Sequence, residues 1–399
     1  MKSPNRLPVG TNPRGKPKGG KGATRIIPKR VDKKVEVSFS EEQVNLLKDR
    51  YGNNLKMKKI RLFVWDTPPI KISVTEFIVQ RVYLGKKLIA QATHPELPKR
   101  GIFGNNLHSL IITQKNGFAG SCEKVRDFIE DLTGESFSPQ AIKDCVHRTG
   151  KELEPAYNDL GRELRDSESV GVDESPWRNN GKNWQLWLFC TLNIVFITIE
   201  NSRGRKIVNK VLGSIFEGAI TSDCLGVYQK CAWYYQKCWA HLLRATYNLA
   251  DRNRNDIKKL HRWLSHLFEE MKEFLKSNPG LYERMQKHEE FDKELKKIMN
   301  YKWKSEEAKG IIKNRLKAFE GHWLTAILIP EVELTNNRTE RDIRKTMPTK
   351  KLLGGHRTDK GAKYFAIIES LRLTWKVQGK SPYQELINKF EEINGNLPL

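Results

Sequence analysis

Cysteine is scarce in this chain and absent from its first 121 residues; the six that follow, Cys122, Cys145, Cys190, Cys224, Cys231 and Cys238, form no Cys-x-x-Cys pair. That excludes a disulfide framework and reads as reduced, intracellular thiols. Long apolar runs are missing too. The nearest, Leu186 to Ile199, is broken by Thr191 and Asn193 and reads as two strands rather than a bilayer span. A soluble, cytoplasmic protein with no membrane partner is expected. Acids are also short, 47 against 71 lysines and arginines, leaving +24 on 399 residues. So large an imbalance points to a polyanionic partner, and nucleic acid is the natural one.

Much of the excess lies in residues 1–35, where eleven basic residues accompany one acid, Asp32, among many Gly and Pro. The segment cannot bury a core and lacks the apolar face of a targeting peptide, so a disordered basic arm is expected. Residues 36–100 mix short apolar runs (Ile60 to Trp65, Phe77 to Leu84) with Pro68, Pro69 and Gly85, and read as a small strand-containing domain. Over 101–166 the period turns helical. Val125, Phe128, Ile129 and Leu132 share a face, Gly134 stops that helix, and Ser138-Pro139 opens the next. This is the outline of a helix-turn-helix with Gln140, Lys143, His147 and Arg148 on its reading face, and equally that of a plain helical connector.

Residues 167–240 read as an α/β unit: a strand ending at Asp173, a hairpin around Asn193, a helix over Arg205 to Leu212, and a buried strand from Ala219. That is the ribonuclease H-like order. Residues 241–331 are helical in pattern throughout, with Trp263, Trp303 and Trp323 as core or as stacking platforms for bases. Residues 332–399 are helical again, the last helix carrying Tyr364, Ile368, Leu371 and Trp375 on one buried face.

Three separated acids share a chemistry. Asp173 follows Val170-Gly171-Val172, Asp223 follows Ala219-Ile220-Thr221-Ser222, and Glu340 lies in TNNRTERDIR. Two strand ends and a helix can bring such carboxylates together as a divalent-metal site for phosphodiester chemistry. Each also has a plainer role. Glu174 competes with Asp173, although a period of two sends the pair to opposite faces. Asp223 would cap the next helix at Leu225, and Asn337 with Glu340 three positions on would make a capping box. Cys224, Cys231, Cys238 and His241 can be imagined as zinc ligands, but their seven-residue cysteine spacing is not that of a zinc knuckle, and no zinc is expected. His241 and Arg244 would face DNA or buttress the acids, with a core histidine as the alternative.

Six segments, VDESPW at 172–177, SRGRK at 202–206, SDCLGVY at 222–228, KCWAHLLR at 237–244, TNNRTER at 335–341 and LLGGHRTDKGA at 352–362, resemble the DDE transposases of the insertion-sequence family numbered sixty-six. Order and spacing match over residues 95–399. The resemblance implies a ribonuclease H-like α/β core interrupted by an all-helical insertion. It also implies that Asp173, Asp223 and Glu340 bind two Mg2+ (or Mn2+) ions for strand cleavage at transposon ends and 3′-OH transfer into target DNA. Arg203, Lys206, His241, Arg244, Arg341, Arg344, Lys345, Lys350, Lys351 and Arg357 are the expected DNA contacts. Partners would be transposon-end and target DNA, a second copy of the chain or a higher assembly on DNA, and an accessory protein; the location would be the nucleoid. The chain departs from that family in lacking paired N-terminal cysteines, so residues 36–100 stand where a zinc module would. A ribonuclease H-like nuclease or resolvase without strand transfer, and a domesticated DNA-binding protein, are the alternatives from other classes.

Overall fold

The computed structural model describes residues 28–250 and 255–395. Most of the expected basic arm, residues 1–27, therefore lies outside the described residues. The chain divides into two units, up to Ile70 and from Lys71 onward. In the first, α1 (Glu41–Tyr51) opens with a capping box: the Ser40 hydroxyl accepts from the Gln43 N–H, and the Gln43 side chain accepts from the Ser40 N–H. No residue of α1 is buried, and Ile60, Leu62, Val64 and Trp65 are exposed and outside any strand. The strands expected over 36–100 reduce, among the described residues, to one antiparallel hairpin in the second unit, β1 (Arg81–Leu84) and β2 (Lys87–Gln91). Apolar alternation specifies a strand only where a partner strand exists to pair with it.

Four helices follow: α2 (Asn105–Ile112), α3 (Cys122–Thr133), α4 (Pro139–Glu152) and α5 (Glu154–Arg165). Gly134 ends α3 in the left-handed region at φ +78°, and Ser138 caps α4 by accepting from the Ala141 N–H, with Pro139 in the first turn. Val125 and Ile129 pack against Ile142 and Cys145, which makes α3 and α4 one small core with Phe103 and Ile111. The expected reading face is only partly free. Gln140 and Lys143 are exposed, but His147 and Arg148 are half-buried, His147 edge-on to Tyr364. Gly150 packs so tightly on the Tyr364 ring that a Cβ would overlap it.

The sheet has the order β5–β4–β3–β6–β7. β3 (Ser169–Asn179), β4 (Lys182–Cys190) and β5 (Val195–Glu200) are antiparallel, whereas β6 (Phe216–Ser222) and β7 (Ala232–Lys237) run parallel to β3. The helix α6 (Lys206–Leu212) connects β5 to β6. Two details correct the sequence reading. β3 does not end at Asp173 but stays paired with β4 as far as Asn179. Its pairing with β6 stops at Gly171, so one side of β3 is then an edge, where Pro176 is tolerated. And β7, whose AWYYQK sequence carries little apolar pattern, was not anticipated.

α13 (Asp359–Val377) covers the free edge of β5: Ser370 and Thr374 accept the N–H groups of Ile197 (2.8 Å) and Val195 (3.0 Å). It is consequently buried on every side and not only along the Tyr364 face. The helices α7 (Trp239–Ala250), α8 (Asn255–Lys276), α9 (Leu281–Asn300), α10 (Glu306–Ile311) and α11 (Thr325–Leu328) enclose a core of their own. Trp303 and Trp323 are buried in it, which removes both as stacking platforms; Trp263 is half-buried, with Lys259 over its ring. α12 (Asn337–Leu353) packs on β3, and α14 (Pro382–Gly395) is the last element among the described residues.

Candidate active site

The parallel register of β3 and β6 pairs Gly171 with Thr221. Two residues further along each chain come Asp173 and Asp223, near enough for the Asp223 charge to oppose ionisation of Asp173. Asp223 partly fills its plainer role: one carboxylate oxygen accepts the Leu225 N–H at 2.9 Å, turning the chain into a short helical turn at Gly226–Tyr228. Beneath it lies a group without an assigned role in the sequence reading. The fully buried Lys237 donates from Nζ to the Asp223 carbonyl at 2.8 Å and to the Ser222 hydroxyl at 3.0 Å, with the Tyr228 and Phe319 rings on either side. Burial lowers its ammonium pKa, and Cys224 and then Asp223 counter that.

Glu340 arrives from α12, which is fastened to β3 just before Asp173. The Asn336 amide donates to the Val172 carbonyl at 2.9 Å and accepts from the Thr339 hydroxyl at 2.6 Å. Gly171 leaves the room: a Cβ there would collide with the Thr339 hydroxyl and crowd Asn336. This corrects the capping-box reading, because the residue before the helix is Asn336, with its side chain engaged by β3, and Glu340 makes no capping bond. Its carboxylate lies 3.3 Å from Arg344, 3.9 Å from Arg244 and 3.5 Å from His241 Nε2. Oε1 is buried without a hydrogen-bond partner.

Electrostatics tie the acids together. Burial, then Glu174, then Asp223 and Glu340 push the Asp173 carboxyl up to about 7, against the 2.9 Å hydrogen bond it accepts from the Glu174 N–H. The Asp173 carboxyl, whose ionisation its acidic neighbours oppose, and the orphaned buried oxygen of Glu340 are donors that a divalent cation would relieve. The donor chemistry suits such an ion, although as placed the ligand atoms of the three acids do not all lie within 4.8 Å of one another.

Glu174 points the other way and serves a different end. Its side chain is 3% exposed and accepts from Arg203 at 2.6 and 2.9 Å and from the Tyr228 hydroxyl. Arg203, expected as a DNA contact, pairs with this buried carboxylate while its own side chain stays 58% exposed. Lys345 is likewise paired with the buried Asp342 at 2.7 Å, and Arg244 and Arg344 face Glu340. Lys206, Arg341, Lys351 and Arg357 are exposed, and Lys350 is half-buried. The Gly354-Gly355 turn follows its simpler reading, since Gly355, at φ +105°, lies against the Arg178 carbonyl, which accepts the His356 N–H at 2.9 Å.

The zinc set imagined from cysteine spacing does not assemble. Cys231 is buried beneath Tyr235, hydrogen-bonded to the Val227 and Gln229 carbonyls, and Cys224 is half-buried elsewhere. Instead, Cys238, His241 and Glu340 bring ligand atoms within 4.8 Å of one another, the one cluster of metal-ligating type among the described residues. No curated protein matches the chain. The model of the transposase family IS66 matches residues 100–364, a span that includes both strand aspartates, the helical segment and Glu340. The chain belongs to the IS66 family of transposases.

Proposed function

We propose that the protein is a DDE-type DNA transposase that cleaves strands at transposon ends and joins the freed 3′-OH to target DNA, with Asp173, Asp223 and Glu340 as its acids. The observation that carries this reading is the fastening of α12 to β3 beside Asp173 through Asn336, Thr339 and Gly171, with the Asp173 carboxyl raised by burial, then Glu174, then Asp223 and Glu340. The strand order, three antiparallel strands followed by two parallel ones, is that expected of a ribonuclease H-like core. Asp173, Asp223 and Glu340 would hold two Mg2+ or Mn2+ ions, which when bound activate the attacking oxygen and stabilise the leaving 3′ oxygen.

The chain's own groups do the positioning. Arg244, Arg344 and His241 orient the Glu340 carboxylate, and Lys237 fixes the peptide that presents Asp223. Exposed Arg341, Lys351 and Arg357 supply positive charge for phosphates on the α12 side. In the first step water forms a bond to phosphorus and the 3′ oxygen departs as a hydroxyl. In the second that hydroxyl attacks a target phosphodiester and displaces the target's 3′ oxygen. Neither step requires a Ser or Tyr nucleophile.

The test uses purified full-length protein on end DNA. Asp173→Asn, Asp223→Asn and Glu340→Gln should each abolish Mg2+-dependent cleavage while DNA binding stays near wild type. Cleavage by Glu340→Gln at the wild-type rate would sink the triad, and failure to join pre-cleaved ends would reduce the enzyme to a nuclease.

A further inference from the structure

Cys238 precedes α7 directly and His241 follows one turn later, so the thiol and imidazole share a face of the helix start. Cys238 is completely buried, and its sulfur accepts the Asn336 N–H at 3.1 Å, a bond that stitches it to the residue before α12. One turn into α12, Glu340 presents Oε1 to His241 Nε2 at 3.5 Å. Both Oε1 and the other imidazole nitrogen, Nδ1, are buried without a hydrogen-bond partner. Two rigid helix starts thus converge one sulfur, one nitrogen and one oxygen ligand, and two of the three residues have an unpartnered buried atom.

We propose that Cys238, His241 and Glu340 form a binding site for one transition-metal ion of the Zn2+ type. The donor chemistry selects that class: thiolate and imidazole favour Zn2+ or Co2+, whereas Mg2+ prefers oxygen ligands such as the Asp173 and Asp223 carboxylates. Three protein ligands leave a fourth position open, as in zinc sites that bind water or substrate. Burial and then the Glu340 charge hold the Cys238 thiol up, and the N–H groups of Asn336, His241 and Ala240 oppose that shift. The site goes beyond the acid-triad reading and shares only Glu340 with it.

Co2+ is the probe. It is titrated into full-length protein in buffer containing excess Mg2+, which fills oxygen-only positions. The expected result is one tight equivalent with a near-ultraviolet sulfur-to-cobalt charge-transfer band and the visible bands of a four-coordinate ion, both erased by stoichiometric Zn2+. Cys238→Ala should lose the charge-transfer band. His241→Ala should keep it but shift the visible bands, and Asp173→Asn should leave the spectrum unchanged. A folded wild-type protein with no charge-transfer band, or a band that survives Cys238→Ala, overturns the proposal. If Cys238→Ala does not fold, the wild-type and His241→Ala spectra decide. Because Asp173→Asn separates cleavage from cobalt binding, the acid triad and the mixed-ligand site can fail independently.

Discussion

A carboxyl held at about 7 in the folded chain, against an ordinary 3.8, keeps a proton that the unfolded chain gives up in that interval. The folded state of Asp173 therefore binds more protons than the unfolded state, and its contribution to stability falls as pH rises from about 4 to 7. At roughly 1.4 kcal/mol for each pH step of one across that window, the metal-free protein loses a few kcal/mol in all. Asp173→Asn should accordingly raise the thermal midpoint in chelator at pH 8 and leave it nearly unchanged at pH 4. Mg2+ should narrow the gap at pH 8 by stabilising wild type more than the variant. Equal midpoints at pH 8 in chelator would show that Asp173 is not under this load. A strand's alternation is what separates Asp173 from Glu174 in the sequence, and the proposed site takes Asp173 as the member of the pair that faces α12. The sequence did not reveal what Glu174 does: Arg203 is 29 positions away and Tyr228 is 54 away, and no local pattern links them. Lys237 was hidden for the same reason, its partners being a neighbouring parallel strand and the turn beyond it.

Elements carry these residues to one another, and the contact between α12 and β3 matters most. Gly171→Ala places a methyl group against Thr339 and Asn336, so α12 must move and take Glu340 with it. The expected cost is about 1–3 kcal/mol of stability, as for other overpacked cores, together with a larger loss of Mg2+-dependent cleavage. Denaturant melts and cleavage rates check both, and a variant with normal cleavage would mean that the acids tolerate the displacement. α13 shows where amphipathic reasoning stops short. Its Tyr364, Ile368, Leu371 and Trp375 face was legible, but its opposite side meets the edge of β5, a non-local contact that turns a one-faced helix into a buried one. That burial encloses the pair Glu369–Arg372 at 2.5 Å, with side chains 1% and 6% exposed. Arg372→Met would strand the Glu369 charge and should cost about 3–5 kcal/mol, whereas Glu369→Gln combined with Arg372→Met should recover most of it. A double-mutant cycle in urea measures the difference. Caps and turns at Gly134, Ser138 and Pro139 were readable because their causes lie within four residues; β7 and the long β3 were not, because their pairing partners are distant.

For the whole molecule the dominant quantity is charge. Eleven of its 71 lysines and arginines precede Val35, in a segment whose Gly and Pro content gives it no regular apolar period. On a DNA partner such a segment is expected to contact phosphates without reading bases, since sequence readout requires side chains held rigidly in a groove. It should therefore add affinity and not sequence preference. Counterion release contributes a slope of about −0.9 in log K against log salt for each phosphate neutralised, so engagement of roughly half the arm's charges amounts to a slope change of about 4 to 5. A truncation beginning at Val35 should bind both end DNA and random DNA more weakly at low salt, by the same factor, and with a slope flatter by that amount. Binding isotherms for the two duplexes over a salt series make the comparison. A truncated protein that kept the full-length slope would show that the charges do not reach DNA. One that lost its preference for end DNA would show that the arm reads sequence, and the excess charge would then need a different partner surface to explain it.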